Sequence, residues 1–151
     1  MSDTETLPFR RAVVALNGGP SDARIVRLVV GLAPKGAELI AVHVVEIDWT
    51  LPLDADIAGR SEEVQRVLDT AETIAEERKM VLEPVLLQAR DVAAAIVDEA
   101  TERGSDLLVV GLPYRKRFGG EFDIGKTVPY ILQNAPCAVW VVREPMSEEP
   151  S

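Results

Sequence analysis

Five short apolar runs, rich in β-branched residues, recur along the chain and predict five β-strands. They cover residues 12–16, 39–45, 84–88, 106–112 and 138–142. Most of these runs are continuous rather than alternating, which is typical of strands that are covered on both faces.

Between the runs, apolar residues recur at spacings of three and four, which predicts amphipathic helices. These helices begin near Ser21, Ser61, Asp91 and Gly125. Ser21 and Asp91 are residue types that favour the N-cap position. Strand and helix therefore alternate from the first strand to the last. This order predicts right-handed crossovers and a single three-layer α/β/α domain with a five-stranded parallel sheet.

The predicted domain covers residues 9–143, with tails at residues 1–8 and 144–151. The least regular segment inside it is residues 46–60, which we interpret as a surface loop. The sequence does not settle whether this loop covers a pocket.

Composition narrows the function classes. The chain has 151 residues, 47% of them apolar, and a formal net charge of -9. An acidic surface repels phosphate backbones, so we expect no nucleic-acid partner. The N-terminus lacks a signal-peptide pattern, and no apolar run is long enough to insert in a membrane. The single cysteine allows no internal disulfide, so we expect a cytoplasmic protein.

Two loops follow strands at the edge of the sheet where ligands bind in open parallel folds. The first is "NGGPS", from Asn17 to Ser21. The second follows the fourth strand and contains the basic run Arg115-Lys116-Arg117, which leads into a helix N-terminus. Free N–H groups and the helix dipole favour a phosphate there. A solvated loop tip is the alternative interpretation of the basic run.

Residues 120–127 fit the pattern of a phosphate-binding P-loop, G-x-x-x-x-G-K-[ST]. A P-loop needs a strand directly before its first glycine, and here "YRKRFG" precedes Gly120. Two acidic residues, Glu121 and Asp123, also lie within the pattern. We therefore interpret the match as coincidental.

Nearly the whole chain resembles the universal stress protein family. The resemblance rests on "RAVVALNGGPSDARIVRLVVGLA", "LIAVHVVE", "ARDVAAAIVDEATERGSDLLVVG" and "GKTVPYILQNAPCAVWVV". It implies an adenine nucleotide alpha hydrolase-like fold, ATP or a related adenine nucleotide as ligand, and a homodimer formed through the last strand, from Ala138 to Val142. The family's phosphate loop has the form G-x-x-G-x(9)-G-[ST]. This chain departs from it at Tyr114 and Lys126, and it has Asn17 where the family has Asp.

Carried over by position, the resemblance implies a nucleotide site in two parts. The base and ribose side would contain Ala15, Asn17 and Val44. The phosphate side would contain Gly111, Leu112, Pro113, Tyr114, Arg115, Lys116, Arg117, Gly125, Lys126, Thr127 and Val128. Tyr114 would narrow the pocket or stack on a base.

Other chemically interesting residues have simpler explanations. His43 lies within a strand and is expected to be structural, with a hydrogen-bonded ring. Cys137 is expected to be a buried thiol and not a nucleophile. Trp140 packs either in the core or against a second subunit, and the apolar last strand at the sheet edge favours the second subunit.

No general base, nucleophile pair or metal-ligand set is evident, so we expect no enzymatic activity and slow or absent ATP hydrolysis. The sequence thus favours a dimer that binds an adenine nucleotide in stress or energy signalling, with a possible protein partner. The alternative is a dimeric interaction module that has lost nucleotide binding and acts through protein partners.

Overall fold

The computed structural model describes residues 8–47, Thr50, residues 61–116, Gly120 and residues 122–146. Strands and helices alternate along this part of the chain, as the hydrophobic pattern predicts. The elements are β1 (Arg11–Leu16), α1 (Asp22–Leu32), β2 (Glu38–Glu46), α2 (Ser61–Glu77), β3 (Leu82–Ala89), α3 (Val92–Glu102), β4 (Leu107–Leu112), α4 (Thr127–Asn134) and β5 (Ala138–Arg143).

The five strands form one parallel sheet in the order β3-β2-β1-β4-β5. This confirms the predicted fold class. The strand order reverses between β1 and β4, whose Ala15 and Val110 lie side by side. Successive connections leave the sheet in opposite directions at this point, so a crevice opens above the carboxyl ends of β1 and β4.

Both faces of the sheet are covered, which explains why the strands are continuously apolar. Val14 and Leu16 pack with Ile25, Val29 and other residues of α1 and α2. Val13 and Ala15 point to the opposite face and pack with residues of α3 and α4. Because side chains alternate along a strand, a strand between two helical layers needs apolar residues at every position.

The two predicted N-caps differ in their hydrogen bonds. Asp91 caps α3 as expected, since its Oδ1 accepts the Ala94 N–H at 3.1 Å. Ser21 occupies the N-cap position of α1, but its side chain makes no capping hydrogen bond. Its hydroxyl donates to the Glu144 carboxylate instead. The capping role expected for Ser21 is therefore wrong, although the position of the helix start is right.

The predicted tail after residue 143 begins later than expected. The Glu144 N–H donates to the Leu112 carbonyl at 2.9 Å, and its side chain also makes hydrogen bonds. Glu144 is therefore part of the folded domain. Residues 1–7 and 147–151 of the predicted tails lie outside the described residues, as do 48–49 and 51–60 of the predicted surface loop.

In the part of the chain that the structure describes, no helix combines the length and the apolar character needed to cross a membrane.

Candidate functional site

A cavity of about 400 Å³ lies at the switch point, above the carboxyl ends of β1 and β4. Its walls come from the ends of these strands, the end of β2, and the chain leading into α4. Of the residues predicted for the site, the structure places these along the cavity: Ala15, Asn17, Val44, Gly111, Leu112, Pro113, Arg115, Gly125, Lys126, Thr127 and Val128.

The other three predicted residues are Tyr114, Lys116 and Arg117. Tyr114 and Lys116 do not line the cavity, and Arg117 lies outside the described residues. Lys116 instead forms an isolated antiparallel bridge with Phe122, which folds the loop after β4 back on itself.

Tyr114 does not line the cavity and therefore does not narrow it. Its ring stacks on Phe122, with centroids 5.3 Å apart and planes 15° from parallel. The Arg143 guanidinium lies over the same Tyr114 ring, 5.0 Å from its centroid. A cation over an aromatic face is attracted by the ring quadrupole. These contacts hold the Tyr114 ring beside Phe122 and Arg143 at the end of β5, and its stacking on a base stays a prediction.

The sequence analysis missed several residues of the cavity. Val92 and Ile96 of α3 contribute apolar surface, together with Val110 and Ile124, and two carboxylates, Asp22 and Asp123, complete the wall. The apolar residues of α3 were recognisable as an inward face, but its proximity to the ligand-binding edge depends on tertiary packing. In the sequence, Asp22 could have been found from its position directly after the glycine-containing loop that follows the first strand.

Asp22 holds the loop from Asn17 to Ser21 in place, and this loop is called here the first glycine turn. One carboxylate oxygen accepts the Asn17 N–H at 3.1 Å, and the other accepts the Gly18 N–H at 2.8 Å. The Asn17 side chain completes the turn, since its Oδ1 accepts the Gly19 N–H at 2.7 Å. Asp22 is buried, and this burial raises its pKa above the ordinary value. The two N–H groups and nearby His43 act in the opposite direction but do not cancel the effect of burial.

We expect this raised pKa to make stability depend on pH. The folded protein retains the Asp22 proton to a higher pH than the unfolded chain. The free energy of unfolding therefore falls as pH rises from the ordinary Asp range, about 4, through the raised native pKa. Asp22→Asn has no proton to lose. Its free energy of unfolding, relative to wild type, should therefore increase across this window.

Urea unfolding of wild type and Asp22→Asn at a series of pH values measures this difference. Asp98→Asn, at an exposed position of α3, controls for the loss of one negative charge. If the difference in the free energy of unfolding between wild type and Asp22→Asn stays constant with pH, the pKa of Asp22 is not raised in the folded protein.

The second glycine turn, from Asp123 to Gly125, leads into α4. The Asp123 N–H donates to the Arg115 carbonyl at 2.8 Å, which closes the loop that begins at the Lys116–Phe122 bridge. Gly125 has a φ of 74°, a conformation that favours glycine. Its N–H donates to Asp123 Oδ1 at 3.2 Å. Lys126 follows as the N-cap residue and is exposed.

Gly111 has a packing reason to be glycine. A Cβ atom there would lie 2.6 Å from Cδ1 of Ile25, a buried residue of α1. That separation is too short for two carbon atoms. A side chain at position 111 would therefore have to displace the end of the Ile25 side chain, so glycine suits the contact of α1 with β4, whatever the cavity binds.

Glu144 connects three segments of the chain through its hydrogen bonds. Its carboxylate accepts hydrogen bonds from the Ser21 hydroxyl and from the Tyr114 N–H, the latter at 3.0 Å. These two donors lower the pKa of Glu144, with the Ser21 hydroxyl as the larger cause. The end of β5 is thereby connected to the first glycine turn and to the loop after β4. The sequence analysis missed this residue.

The remaining candidates have structural explanations. His43 is buried and its Nδ1 lies 3.0 Å from the Leu16 carbonyl, so Nδ1–H donates, as expected for a structural histidine. Cys137 is only partly buried, which corrects the expected buried thiol, and burial raises its pKa. Trp140 packs on the core with its ring 5.7 Å from Phe9 in an edge-to-face contact. Among the described residues, no group of acidic, His and Cys side chains is arranged to hold a metal ion.

A larger cavity, of about 880 Å³, lies on the α2 side of the first glycine turn and is bordered by His43, Glu63 and Arg66. It shares Asn17, Asp22 and Val44 with the switch-point cavity. The glycines of the first turn line this larger cavity, whereas the switch-point cavity is lined by Gly125 and the N-terminus of α4. The chemistry of anion binding therefore points to the switch-point cavity.

The fold is that of a small α/β domain with a cavity at the switch point of its parallel sheet, the place where such domains commonly bind ligands. Residues 8–143 match the sequence profile of the Universal stress protein family. The chain belongs to this family, which confirms the resemblance seen in the sequence.

A curated relative extends the comparison. The chain is 31% identical over 143 residues to the "Sensor protein KdpD" of Mycobacterium tuberculosis (strain CDC 1551 / Oshkosh). The match covers 93% of this chain and 15% of the relative. The chain thus corresponds to a small part of that sensor protein.

Solved structures share the fold. The universal stress protein from Archaeoglobus fulgidus in complex with dAMP matches with a TM-score of 0.68 and 19% identity, covering 87% of this chain and 96% of that one. A family member from Arabidopsis thaliana with AMP bound matches with a TM-score of 0.64 and 17% identity, covering 93% of this chain and 96% of that one. At 19% and 17% identity, the similarity of this chain to the two structures establishes the fold alone.

Proposed function

We propose that this domain binds an adenine nucleotide in the switch-point cavity and acts in signalling rather than catalysis. The observation that carries the proposal is the convergence of Asn17, the Gly125 turn, two cations and a helix N-terminus on one cavity. The proposal is supported by the dAMP and AMP complexes of two proteins with the same fold. ATP is one candidate ligand within this class.

In this proposal the cavity divides between an apolar and a charged part. Ala15, Val44 and Ile96 offer apolar surface to the base. Arg115 and Lys126 lie on the opposite wall with the start of α4, where a phosphate gains from cations and from the helix dipole. The proposed signalling role requires no turnover of the nucleotide, since nucleotide binding alone changes the charge and packing at the edge of the cavity.

We also propose a cytoplasmic homodimer that forms through β5, with a further protein as a possible partner. In the described sheet β5 lies at one end of the strand order and pairs only with β4. An edge strand with apolar side chains is a template for pairing with another chain. Val141 on this strand is 37% exposed, which leaves apolar surface for a second subunit.

Val141→Glu should convert the dimer to a monomer, because the contact would bury an unpaired charge on each subunit. Light scattering coupled to size-exclusion chromatography measures the molar mass. Val81→Glu is the matched control, since Val81 is 86% exposed and lies before β3 at the opposite edge. A wild-type monomer, or a Val141→Glu dimer, would show that β5 does not form the interface.

Native mass spectrometry of the purified protein with and without AMP and ATP tests the proposed function. We expect one nucleotide per subunit. A dimer that retains neither nucleotide would favour the alternative, an interaction module without a nucleotide ligand. The specific observation behind that alternative is that backbone N–H groups of both glycine turns are occupied by side chains of the chain itself.

A further inference from the structure

We infer that Glu144 is a positioning residue for nucleotide binding: its carboxylate fixes the backbone at Tyr114 and thereby places Arg115 at the phosphate side of the switch-point cavity. The inference rests on the proposed nucleotide function and adds to it a residue outside the cavity wall. Glu144 is not among the described residues that line the cavity. It therefore acts on the ligand through other residues.

The chain that follows β4 presents alternate residues to the cavity. Pro113 and Arg115 line the cavity, whereas Tyr114 between them does not. The Tyr114 ring lies instead against the Arg143 guanidinium of β5, which is 5.0 Å from the ring centroid. The position of the Tyr114 backbone therefore decides where the two flanking side chains stand in the cavity wall.

Glu144 makes the hydrogen bonds that hold this backbone. Its Oε1 accepts the Tyr114 N–H at 3.0 Å, and its own N–H donates to the Leu112 carbonyl at 2.9 Å. The second bond directly follows the last pair of the β4–β5 ladder, Leu112 with Arg143. Because the ladder fixes the backbone of Glu144, its side chain can in turn fix the backbone of Tyr114.

The other carboxylate oxygen of Glu144 contacts a second segment of the cavity wall. Oε2 accepts the hydroxyl of Ser21, the last residue of the first glycine turn. That turn begins at Asn17, which lines the cavity. One carboxylate thus joins the two segments that follow β1 and β4. With a donor on each oxygen, the orientation of the carboxylate is determined.

The charge of Glu144 has an effect of its own. The Ser21 hydroxyl and the Tyr114 N–H lower the pKa of Glu144, and the charges of Arg115 and Arg24 act in the same direction. The side chain is therefore ionised at neutral pH, and an ionised acceptor strengthens both hydrogen bonds. The same negative charge is felt at Arg115 and by itself disfavours an anionic ligand there. Positioning and charge thus have opposite effects on nucleotide affinity.

Two substitutions of Glu144 separate these effects. Glu144→Gln removes the charge but retains an oxygen that can accept the Tyr114 N–H, and its amide group can pair with the Ser21 hydroxyl. Glu144→Ala removes both side-chain bonds and leaves the backbone bond to Leu112. Glu77→Ala is the matched control, since Glu77 is an exposed residue of α2 that does not line the cavity.

Isothermal titration calorimetry with AMP measures the effect on binding. A residue that acts through Arg115 can cost no more affinity than the loss of Arg115 itself, about tenfold. Glu144→Ala should therefore bind AMP about fivefold more weakly than wild type, and Glu144→Gln should stay within about twofold. Glu77→Ala should bind AMP like wild type. In an Arg115→Ala background, Glu144→Ala should cost less than about twofold, because the residue that it positions is already absent.

Amide hydrogen exchange at Tyr114, followed by nuclear magnetic resonance without nucleotide, measures the contact itself. Exchange should be about tenfold faster in Glu144→Ala than in wild type, since the N–H loses a charged acceptor. Glu144→Gln should retain most of the protection. An unchanged exchange rate in Glu144→Ala would mean that Glu144 does not hold the Tyr114 backbone, and the inference would be overturned.

The results distinguish the inference from the function on which it rests. If Glu144→Ala binds AMP as tightly as wild type, or loses as much affinity in the Arg115→Ala background, Glu144 does not position Arg115 and the nucleotide site stands. Equal losses in Glu144→Gln and Glu144→Ala would also overturn the inference, because the retained acceptor would have no effect. If neither wild type nor any variant binds AMP, the proposed function and the inference both fail. Thermal unfolding of each variant checks that the fold is intact.

Discussion

Exchanging Arg115 and Lys126 together for alanine should lower the affinity for AMP by about a hundredfold or more. A hydrogen bond to a charged group contributes about 1.5–3 kcal/mol. Both cations line the cavity, and in the proposed complex each would make one such bond with the phosphate. Each single variant should lose about tenfold. Titration calorimetry measures the affinities.

The matched control is the double variant Arg27→Ala/Lys35→Ala. Both residues are exposed and neither lines the switch-point cavity, yet the change in net charge is the same. We expect it to bind AMP like wild type. Equal losses in the two double variants would mean that overall charge, and not contact, attracts the nucleotide. No loss in either would place the nucleotide elsewhere on the protein.

Ile131→Ala should lower the free energy of unfolding by about 2–5 kcal/mol. Ile131 lies on the inner face of α4 and is 0% exposed, so the substitution leaves a cavity between the helix and the sheet. That cost is a large fraction of the stability of a typical domain. Urea unfolding followed by circular dichroism measures it.

The next residue on the same helix is the control. Leu132 is 55% exposed, and Leu132→Ala should change the stability by only about 0.5 kcal/mol. Both substitutions introduce alanine into α4, so helix propensity affects them similarly. Comparable losses in the two variants would mean that α4 does not pack on the sheet as described. The packing of α4 matters for the candidate site as well, because the first turn of this helix forms one wall of the cavity.

The fold could be predicted because its signals are local and repeated. Each strand is a continuous apolar run, and each helix shows its own apolar face, so β1 to β5 and α1 to α4 appear in the predicted order. Asp91 could be assigned as a cap because its partner, Ala94, is only three residues away.

The parts that could not be predicted depend on distant residues. The Ser21 hydroxyl donates to Glu144, a residue 123 positions later, and this contact replaces the local capping bond that Ser21 is suited to make. The direction of Tyr114 is set by Phe122 and Arg143, which meet it only once β5 is in place. The locations of cavity residues followed from strand ends and family resemblance, but the side-chain directions on the rim required the folded structure.

The two edges of the sheet have different consequences for assembly. At the β3 edge, Pro84 has no N–H, and an edge strand tolerates it because that donor would face away from the ladder. The outer side of β3 is therefore a poor start for another strand, while β5 has no proline. In the proposed dimer, pairing of β5 with β5 would use the only favourable edge of both subunits among the described strands. Growth of the sheet would then stop at two copies, so the proposed assembly would not extend into a filament.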